Sequence, residues 1–310
     1  MAVKTVQAVI NGTTVTLTYN SSTGKYEATV TAPSKSSYNV NSGHYYPVTI
    51  KATDAAGNTT TKTDTDTTLG DSLKLKVKEK VAPAITISSP TAGSYLTNNK
   101  PSIVWTVTDA DSGVNPATIG ITIDSGAKVT GDSIAKETVS GGYKCTYTPT
   151  TALADGRHTI KIDASDYDGN AATQKSVTCT VDTVPPTLSI TAPADKLITN
   201  KTGITVKGTT NDKTSSPVTV TVKLNSGAAT AVTVESDGSF SKDLTLVVGT
   251  NTIIVVARDA AGKSTTVTRT VTVDQTAPVI KSITINPNPV DCGKTYIISV
   301  EVTKSEAKRS

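Results

Sequence analysis

The segment Ala257-Arg258-Asp259-Ala260-Ala261-Gly262-Lys263 repeats a pattern that also occurs at 52–58 and at 164–170. Each copy follows a run in which alternate residues are apolar, and a period of two places those residues on one buried face of a β-strand. The aspartate continues the row at the strand end, where its carboxylate can accept turn N–H groups, and the glycine three residues on adopts positive φ readily. Strand, turn and returning strand form a hairpin, so the chain contains at least three copies of one module.

The composition is typical of a β-protein with several small cores. Hydrophobic residues make up 36% of the 310 residues and aromatic residues only 4%, with one tryptophan and one phenylalanine. The sequence has no sustained 3.6-residue periodicity and no apolar run that could cross a bilayer, so we predict an all-β chain that does not insert into membranes. The net charge is only +4 and no basic stripe with interleaved aromatics is present, so we expect no nucleic-acid partner.

Proline-bearing boundaries follow the last strand of each module. They lie at 81–83, 183–186 and 276–278, and their spacing is that of β-sandwich domains. We predict domains at 1–80, 81–183 and 184–276, followed by an incomplete β segment at 277–310. Each boundary opens a strand that soon meets another proline, so these opening strands should be edge strands that kink or switch sheets.

The core of the second module is predicted from strand parity. Ile103, Trp105 and Val107 share one strand face, and a tryptophan on an early central strand is a common core anchor in sandwiches. Cys145 and Cys179 also share parity with apolar neighbours and should face this core. Buried thiols are favoured there over a cross-sheet disulfide.

The third module carries further motifs beside the turn. They are Gly203–Thr210, Asp237-Gly238-Ser239-Phe240, Leu246–Asn251 and Val273-Asp274. Together with the turn, these residues resemble bacterial immunoglobulin-like domains. The usual residue at the position of Lys263 in those domains is asparagine, and we expect the lysine not to disturb the turn.

The first two modules show related resemblances. The second, through 111–118 and the turn at 166–170, resembles the same superfamily. The first, through 11–13, 23–28 and 43–47, is similar to immunoglobulin-like segments in proteins of tailed phages and prophages. The resemblances imply three tandem immunoglobulin-like β-sandwiches plus a short C-terminal β segment.

The sequence after Pro278 is too short for a sandwich of its own. Ile297, Ile298 and Val300 are too apolar to remain solvated, and the run that begins at Asn286 is similar to a short element of phage tail and virion proteins. We predict that this segment docks by sheet augmentation on another virion protein or on a second copy of the chain. The alternative is a disordered or self-docked tail.

Five carboxylates form the candidate metal site. Asp109 with Asp111, and Asp166 with Asp168, lie two residues apart in loops, and Asp182 lies at a domain boundary. Calcium binds six to eight oxygens and tolerates flexible loops. Because the turn role explains the repeated aspartate without a metal, we predict no cofactor and keep calcium as the alternative.

A second candidate surface is His44-Tyr45-Tyr46, whose rings have an apolar face and a polar tip suited to contact with sugar or protein. The alternative is a loop that covers the open end of the sandwich. We predict no catalysis, because neither His44 nor His158 lies in a nucleophile motif and His158 should be a surface residue.

We predict a non-enzymatic structural or display protein of a tailed-phage virion, as a head decoration or a tail or baseplate accessory. It would present its domains for weak, multivalent adhesion to a host-surface glycan or protein. The N-terminus lacks an apolar h-region, which favours assembly in the cytoplasm and localisation in the virion. The alternatives are a bacterial surface adhesin fragment and a non-catalytic carbohydrate-binding array of a larger enzyme.

Overall fold

The computed structural model describes residues 2–303 and confirms an all-β protein. The helical segments of this described part are two 3-10 helices, Gly70–Leu73 and Gly131–Ser133. None of its helices is long and apolar enough to cross a membrane. The contacts divide the chain into two compact units, namely Met1–Ser94 with Lys100–Cys179 and Tyr95–Asn99 with Thr180–Ser310.

The first module is built on one six-stranded sheet. Its strands are β1 Val3–Ile10, β2 Thr13–Asn20, β3 Lys25–Glu27, β4 Tyr46–Asp54, β5 Thr59–Lys62 and β6 Lys74–Leu75. The order is β3-β2-β1-β4-β5, with β6 paired to the start of β4. Asn11 and Gly12 both have positive φ, at 47° and 76°, as a two-residue hairpin turn requires. The core is small, with Ala8, Tyr46 and Leu73 buried.

The second module contains two four-stranded sheets. Its strands are β7 Ala84–Ser89, β8 Tyr95–Leu96, β9 Ile103–Thr108, β10 Gly120–Ile123, β11 Ala135–Val139, β12 Gly142–Tyr147, β13 Gly156–Asp163 and β14 Lys175–Val181. The sheet orders are β11-β12-β9-β7 and β10-β13-β14-β8. Ile103, Trp105 and Val107 on β9 are completely buried, which confirms Trp105 as a core residue.

The third module also contains two sheets. Its strands are β15 Thr187–Ala192, β16 Leu197–Thr199, β17 Gly203–Asn211, β18 Thr219–Leu224, β19 Thr230–Val232, β20 Ser239–Thr245, β21 Gly249–Arg258 and β22 Ser264–Val273. The sheet orders are β15-β17-β20 and β16-β22-β21-β18-β19. Val206 and Phe240 from the first sheet and Ile253 and Val271 from the second are buried in one cluster.

The opening strands of the second and third modules confirm the prediction made from their prolines. β7 and β15 lie at sheet edges, and each shows a register shift near its end. After Pro90 and Pro193 the chain continues in the opposite sheet, as β8 and β16. Proline has no N–H for a ladder position, so the strand leaves its first sheet there.

A separate antiparallel hairpin follows the third module. It consists of β23 Val279–Asn286 and β24 Ile297–Thr303, which form a two-stranded sheet. The final seven residues of the predicted C-terminal segment, 304–310, lie outside the described residues, as does Met1 at the start of the first predicted domain.

Candidate functional site

The repeated turn has one hydrogen-bond pattern in all three modules. Oδ1 of Asp54, Asp166 and Asp259 accepts the N–H of the residue four positions later, at 2.9, 2.8 and 2.8 Å. The aspartate N–H donates in return to the carbonyl of that same residue. Hydrogen bonds from the asparagine side chain and backbone hold the pKa of Asp54 below its usual value. The predicted turn role of the aspartate is therefore confirmed.

The three turns differ at the second carboxylate oxygen. In the first two modules the asparagine that ends the turn donates Nδ2 to Oδ2 of the aspartate, at 2.9 and 2.7 Å. The third module has Lys263 at this position, and Oδ2 of Asp259 is buried without a hydrogen-bond partner. Lys263 preserves the backbone bonds of the turn, as predicted, but the asparagine donor to this oxygen is lost.

The five carboxylates predicted as calcium ligands do not meet at one place. Asp109 and Asp166 lie with Glu79, and one oxygen from each of the three is within 4.8 Å of the others. Oδ1 of Asp109 accepts the N–H groups of Asp111 and Gly113, at 3.1 and 2.7 Å. Glu79, which the sequence prediction did not include, belongs to the segment that leads into the second module.

A second carboxylate cluster joins the linker after β14 to two strand ends of the third module. Asp182 lies with Asp212 and Asp259, again with one oxygen of each within 4.8 Å of the other two. The three residues are 0%, 8% and 5% exposed, and no salt bridge among residues 2–303 involves them. At an effective dielectric constant of about 20, two ionised carboxylates at this separation repel by about 3.5 kcal/mol. The sequence prediction included only Asp182 of this cluster.

A spacing in the sequence could have identified both clusters. Glu79 and Asp182 each lie four residues before the boundary proline of the following module. Asp109 directly follows β9, and Asp212 directly follows β17. Each cluster therefore combines one carboxylate from the linker, one from a strand end and one from the repeated turn.

Asp111 and Asp168 lie outside both clusters and contact the first module instead. The carboxylate of Asp111 accepts the N–H of Ser36, at 3.2 and 3.1 Å, and Oδ2 of Asp168 accepts the N–H of Glu79 at 3.0 Å. Nδ2 of Asn39 donates to the carbonyl of Asp111 at 2.6 Å. These bonds join the first and second modules within the first compact unit, and we call this region the module junction.

The predicted contact surface His44-Tyr45-Tyr46 is divided among three environments. Tyr46 is 6% exposed and belongs to the core of the first module, so its ring is not available to a partner. The hydroxyl of Tyr45 donates to Oδ2 of Asp64 at 2.8 Å. His44 is exposed but stacks on Tyr38, with ring centroids 3.9 Å apart.

The ring of Tyr38 extends this stack to the second module. Its other neighbour is Tyr167, from the repeated turn of the second module, at a centroid distance of 4.1 Å and an interplanar angle of 11°. The three stacked rings therefore belong to the module junction. Neither Tyr38 nor Tyr167 was a predicted site residue, because their approach depends on how two modules meet.

His158 is buried, so the prediction of a surface residue is wrong. It is 8% exposed, Nδ1 lies 2.8 Å from Oδ2 of Asp124, and Nε2 lies 2.8 Å from the carbonyl of Ala154. Burial opposes the charged imidazolium, but these two acceptors outweigh it and raise the pKa of His158. Both ring nitrogens are engaged with acceptors, so the side chain has a structural role.

Cys145 and Cys179 are buried and free, in agreement with the predicted thiols in the core. Burial raises the pKa of Cys145 to about 11 and also raises the pKa of Cys179. Cys292 is exposed. The thiolate is the reactive form of cysteine, so the two buried residues are chemically inert in the folded chain.

The C-terminal hairpin has one apolar and one polar face. Cross-strand pairing and alternation place six exposed apolar side chains together, namely Ile280, Ile283, Ile285, Ile298, Val300 and Val302. We call this set the apolar hairpin face. Ile297 pairs with Asn286 on the opposite face. Of the three residues predicted for docking, only Ile298 and Val300 therefore share a surface.

Comparisons with known families match two parts of the chain. Residues 85–183 match the model of the bacterial Ig-like domain. Residues 186–275 match the model described as glucodextranase, domain B.

Two curated relatives are much longer proteins. Bacillopeptidase F of Bacillus subtilis (strain 168) is 32% identical over 205 residues, which cover 66% of this chain and 13% of that protein. The serine-rich adhesin for platelets of Staphylococcus aureus (strain MRSA252) is 27% identical over 251 residues, which cover 79% of this chain and 17% of the adhesin. The chain therefore spans less than a fifth of the length of either relative.

The chain also matches solved structures, at low sequence identity and with TM-scores below 0.5. The fibronectin(III)-like modules of Clostridium thermocellum CbhA are 20% identical, cover 62% of this chain and 94% of their own, and superpose with a TM-score of 0.38. Rst D1-D2 is 15% identical, covers 61% of this chain and 99% of its own, and has a TM-score of 0.39. The match to the family model supports a bacterial Ig-like domain at residues 85–183.

Proposed function

We propose that this chain is a non-catalytic array of Ig-like domains that is displayed at a bacterial surface and contributes to adhesion. The observation that carries the proposal is the similarity of 79% of the chain to the staphylococcal serine-rich adhesin for platelets. Bacillopeptidase F and the serine-rich adhesin are bacterial proteins, so the tailed-phage role stays a prediction without support. The alternative predicted from the sequence, a bacterial surface adhesin fragment, has this support.

The module junction suits a protein that displays binding surfaces. Asp111, Asp168 and the ring stack through Tyr38 hold the first two modules in one compact unit. A preorganised pair of modules loses less conformational freedom on binding than two freely jointed ones. Many such chains on one surface convert weak contacts with a glycan or protein into strong attachment.

In this proposal, two copies of the chain associate through the apolar hairpin face. β23 and β24 pair antiparallel, as do β7 with β9 and β15 with β17 in the second and third modules. In those modules the sheet packs its apolar face on a second sheet, whereas the six side chains of the hairpin are exposed. The partner that fits this face is the same hairpin of a second copy, which would form a two-layer sheet.

Sedimentation velocity of the full chain between about 5 and 100 μM tests this dimerisation surface, because this range detects dissociation constants in the micromolar range, about −6 to −8 kcal/mol. We expect concentration-dependent dimers, which Ile283→Asp abolishes. Thr284→Asp is the matched control, because Thr284 lies next in the strand and on the polar face. A chain that is monomeric at every concentration, or dimers that persist in Ile283→Asp, would refute dimerisation through the apolar hairpin face.

Adhesion is tested with beads that carry the chain at high and low density. The beads pass over immobilised host glycans, host surface proteins and intact host cells. We expect retention only at high density, since avidity requires many copies. Equal retention of beads coated with serum albumin would contradict the proposal.

The second candidate is an accessory array of a larger secreted enzyme. The match of residues 186–275 to domain B of glucodextranase and the similarity to bacillopeptidase F favour it. In that role, we expect the array to bind the insoluble carbohydrate substrate of its enzyme. Binding of the chain to insoluble polysaccharide, with no retention on host cells, would support this candidate over adhesion.

A further inference from the structure

The ring stack at the module junction contains two tyrosines from different modules. Tyr38 lies between β3 and β4 of the first module, and Tyr167 lies in the repeated turn of the second. Their ring planes are only 11° from parallel, and the ring centroids are 4.1 Å apart. Carbon atoms of parallel rings at this separation are close to van der Waals contact. Two phenols in this arrangement are positioned for a bond between their ring carbons.

Contacts on both sides hold the two rings in place. His44 stacks on the other face of Tyr38, with the ring centroids 3.9 Å apart. The N–H of Tyr38 donates to Oγ of Ser36 at 3.0 Å, and the N–H of Tyr167 donates to the carbonyl of Gly113 at 3.1 Å. Because the ring of Tyr38 is held between two neighbours, a radical formed on it stays beside Tyr167. Reactants fixed in this way react far faster than the same groups free in solution.

The two phenols can exchange electrons and protons with the solvent side. Tyr167 is 37% exposed and Tyr38 is half-buried. Burial and the neighbouring Tyr38 raise the pKa of Tyr167, so this phenol is protonated at neutral pH and its oxidation releases a proton to water. The three cysteines of the chain are free thiols. A bond between the two rings would therefore supply a covalent link between modules that no disulfide supplies.

We propose that Tyr38 and Tyr167 form an oxidative cross-linking site, at which a dityrosine bond joins the first two modules. The oxidant is hydrogen peroxide, used by a haem peroxidase that takes one electron at a time. Each phenol loses one electron and one proton, and the two radicals couple through the ring carbons next to the hydroxyls. The hydrogens on those carbons then move to the oxygens and restore both phenols. One peroxide accepts the two electrons and two protons and becomes two water molecules.

The cross-link would make the module junction permanent. It would close a loop that contains every strand from β4 to β13. A covalent bond that closes a long loop stabilises the folded chain, chiefly because it restricts the unfolded one. This role goes beyond adhesion, since it does not depend on what the array binds.

Oxidation of the full chain with hydrogen peroxide and a haem peroxidase tests the proposal. Cys292→Ala is the starting chain, because the exposed thiol of Cys292 would compete for the oxidant. In dilute solution we expect a product that is two hydrogens lighter, shows dityrosine fluorescence and runs as a monomer on a denaturing gel. Mass spectrometry after proteolysis should find the peptides of Tyr38 and Tyr167 joined. The urea midpoint reported by Trp105 should rise in this product.

Phenylalanine variants identify the rings that react. Tyr38→Phe keeps an aromatic ring in the stack but has no phenol to oxidise, so the joined peptides should be lost. Tyr26→Phe is the matched control, because Tyr26 and Tyr19 form a tilted pair within the first module, with centroids 5.3 Å apart and planes at 57°. This change should leave the link to Tyr167 intact. Oxidation that joins these two tyrosines only between separate chains, or not at all, would overturn the proposal, as would an intramolecular link to Tyr167 that persists in Tyr38→Phe.

Discussion

Replacement of Asn170 by alanine should destabilise the second module, whereas the matching change at Asn58 in the first module should leave the second module's stability unchanged. Nδ2 of Asn170 donates to Oδ2 of Asp166 at 2.7 Å and lies 3.2 Å from the carbonyl of Glu79. Asp166 is only 2% exposed. Alanine would leave a buried carboxylate oxygen without its donor and would remove one bond of the module junction.

The size of the effect follows from the charge of the acceptor. A hydrogen bond to a charged group contributes about 1.5–3 kcal/mol, and a buried acceptor without a partner costs a similar amount. We therefore expect the free energy of unfolding of the second module to fall by about 2–3 kcal/mol in Asn170→Ala. For a domain of about 100 residues this corresponds to a fall in Tm of about 10 °C or more.

The fluorescence of Trp105 measures this change locally. Trp105 is the one tryptophan of the chain and is completely buried in the second module, so its urea transition follows that module. We expect a lower midpoint with an unchanged slope. Asn58→Ala is the control, because Asn58 makes the same bonds in the first module and should leave the Trp105 transition in place. A loss below about 0.5 kcal/mol in Asn170→Ala, the size of an ordinary surface substitution, would refute this reasoning.

Three further predictions concern His158, Gly208 and the cysteines. The raised pKa of His158 means that its contribution to stability is complete below its unfolded pKa, about 6.5, and is lost as pH rises through the folded value. The difference in urea midpoint between wild type and His158→Gln should therefore shrink from pH 6 to about pH 9. Gly208→Ala should destabilise the third module by about 1–3 kcal/mol in hydrogen exchange, because its Cβ would lie 2.6 Å from the ring of Phe240 and against a backbone carbonyl. Cys292 should react with a thiol reagent at once at pH 8, and Cys145 only after unfolding.

Each of these outcomes has a control. Asp124→Asn removes the carboxylate beside His158 and should flatten the pH dependence, so an unchanged profile would contradict the ion pair. Lys207→Ala, at the exposed neighbour of Gly208, should leave exchange unaffected. Rapid labelling that persists in Cys292→Ala would show that a buried thiol is accessible.

Local patterns predicted the repeated turns and the edge strands correctly. The period-two alternation of apolar residues before Asp54, Asp166 and Asp259 placed each carboxylate at a strand end. Each carboxylate then accepts the N–H of a residue only four positions later, so the turn is a local structure. Pro90 and Pro193 predicted the change of sheet for the same reason, since the lost N–H is a property of one residue.

Contacts between distant segments were not predictable in this way. The surface position expected for His158 was wrong because Asp124, 34 residues earlier, brings a carboxylate to its ring. Asp111 was grouped with possible calcium ligands, yet it accepts the N–H of Ser36, 75 residues away. Asp109 and Asp111 lie two residues apart in one loop, and the sequence does not distinguish their roles. The partner that each carboxylate meets depends on how the modules pack.

The sequence alone therefore determined an all-β chain, the repeated turn and the core position of Trp105, because period-two alternation and turn chemistry act between neighbours. Tertiary structure decided which carboxylates meet. Asp182, Asp212 and Asp259 are separated by 30 and 47 residues along the chain, and only the folded chain places one oxygen of each within 4.8 Å of the other two. Tertiary structure also decided the effect of Lys263. The side-chain amide that this position lacks would have bonded Oδ2 of Asp259, and this oxygen is buried without a partner.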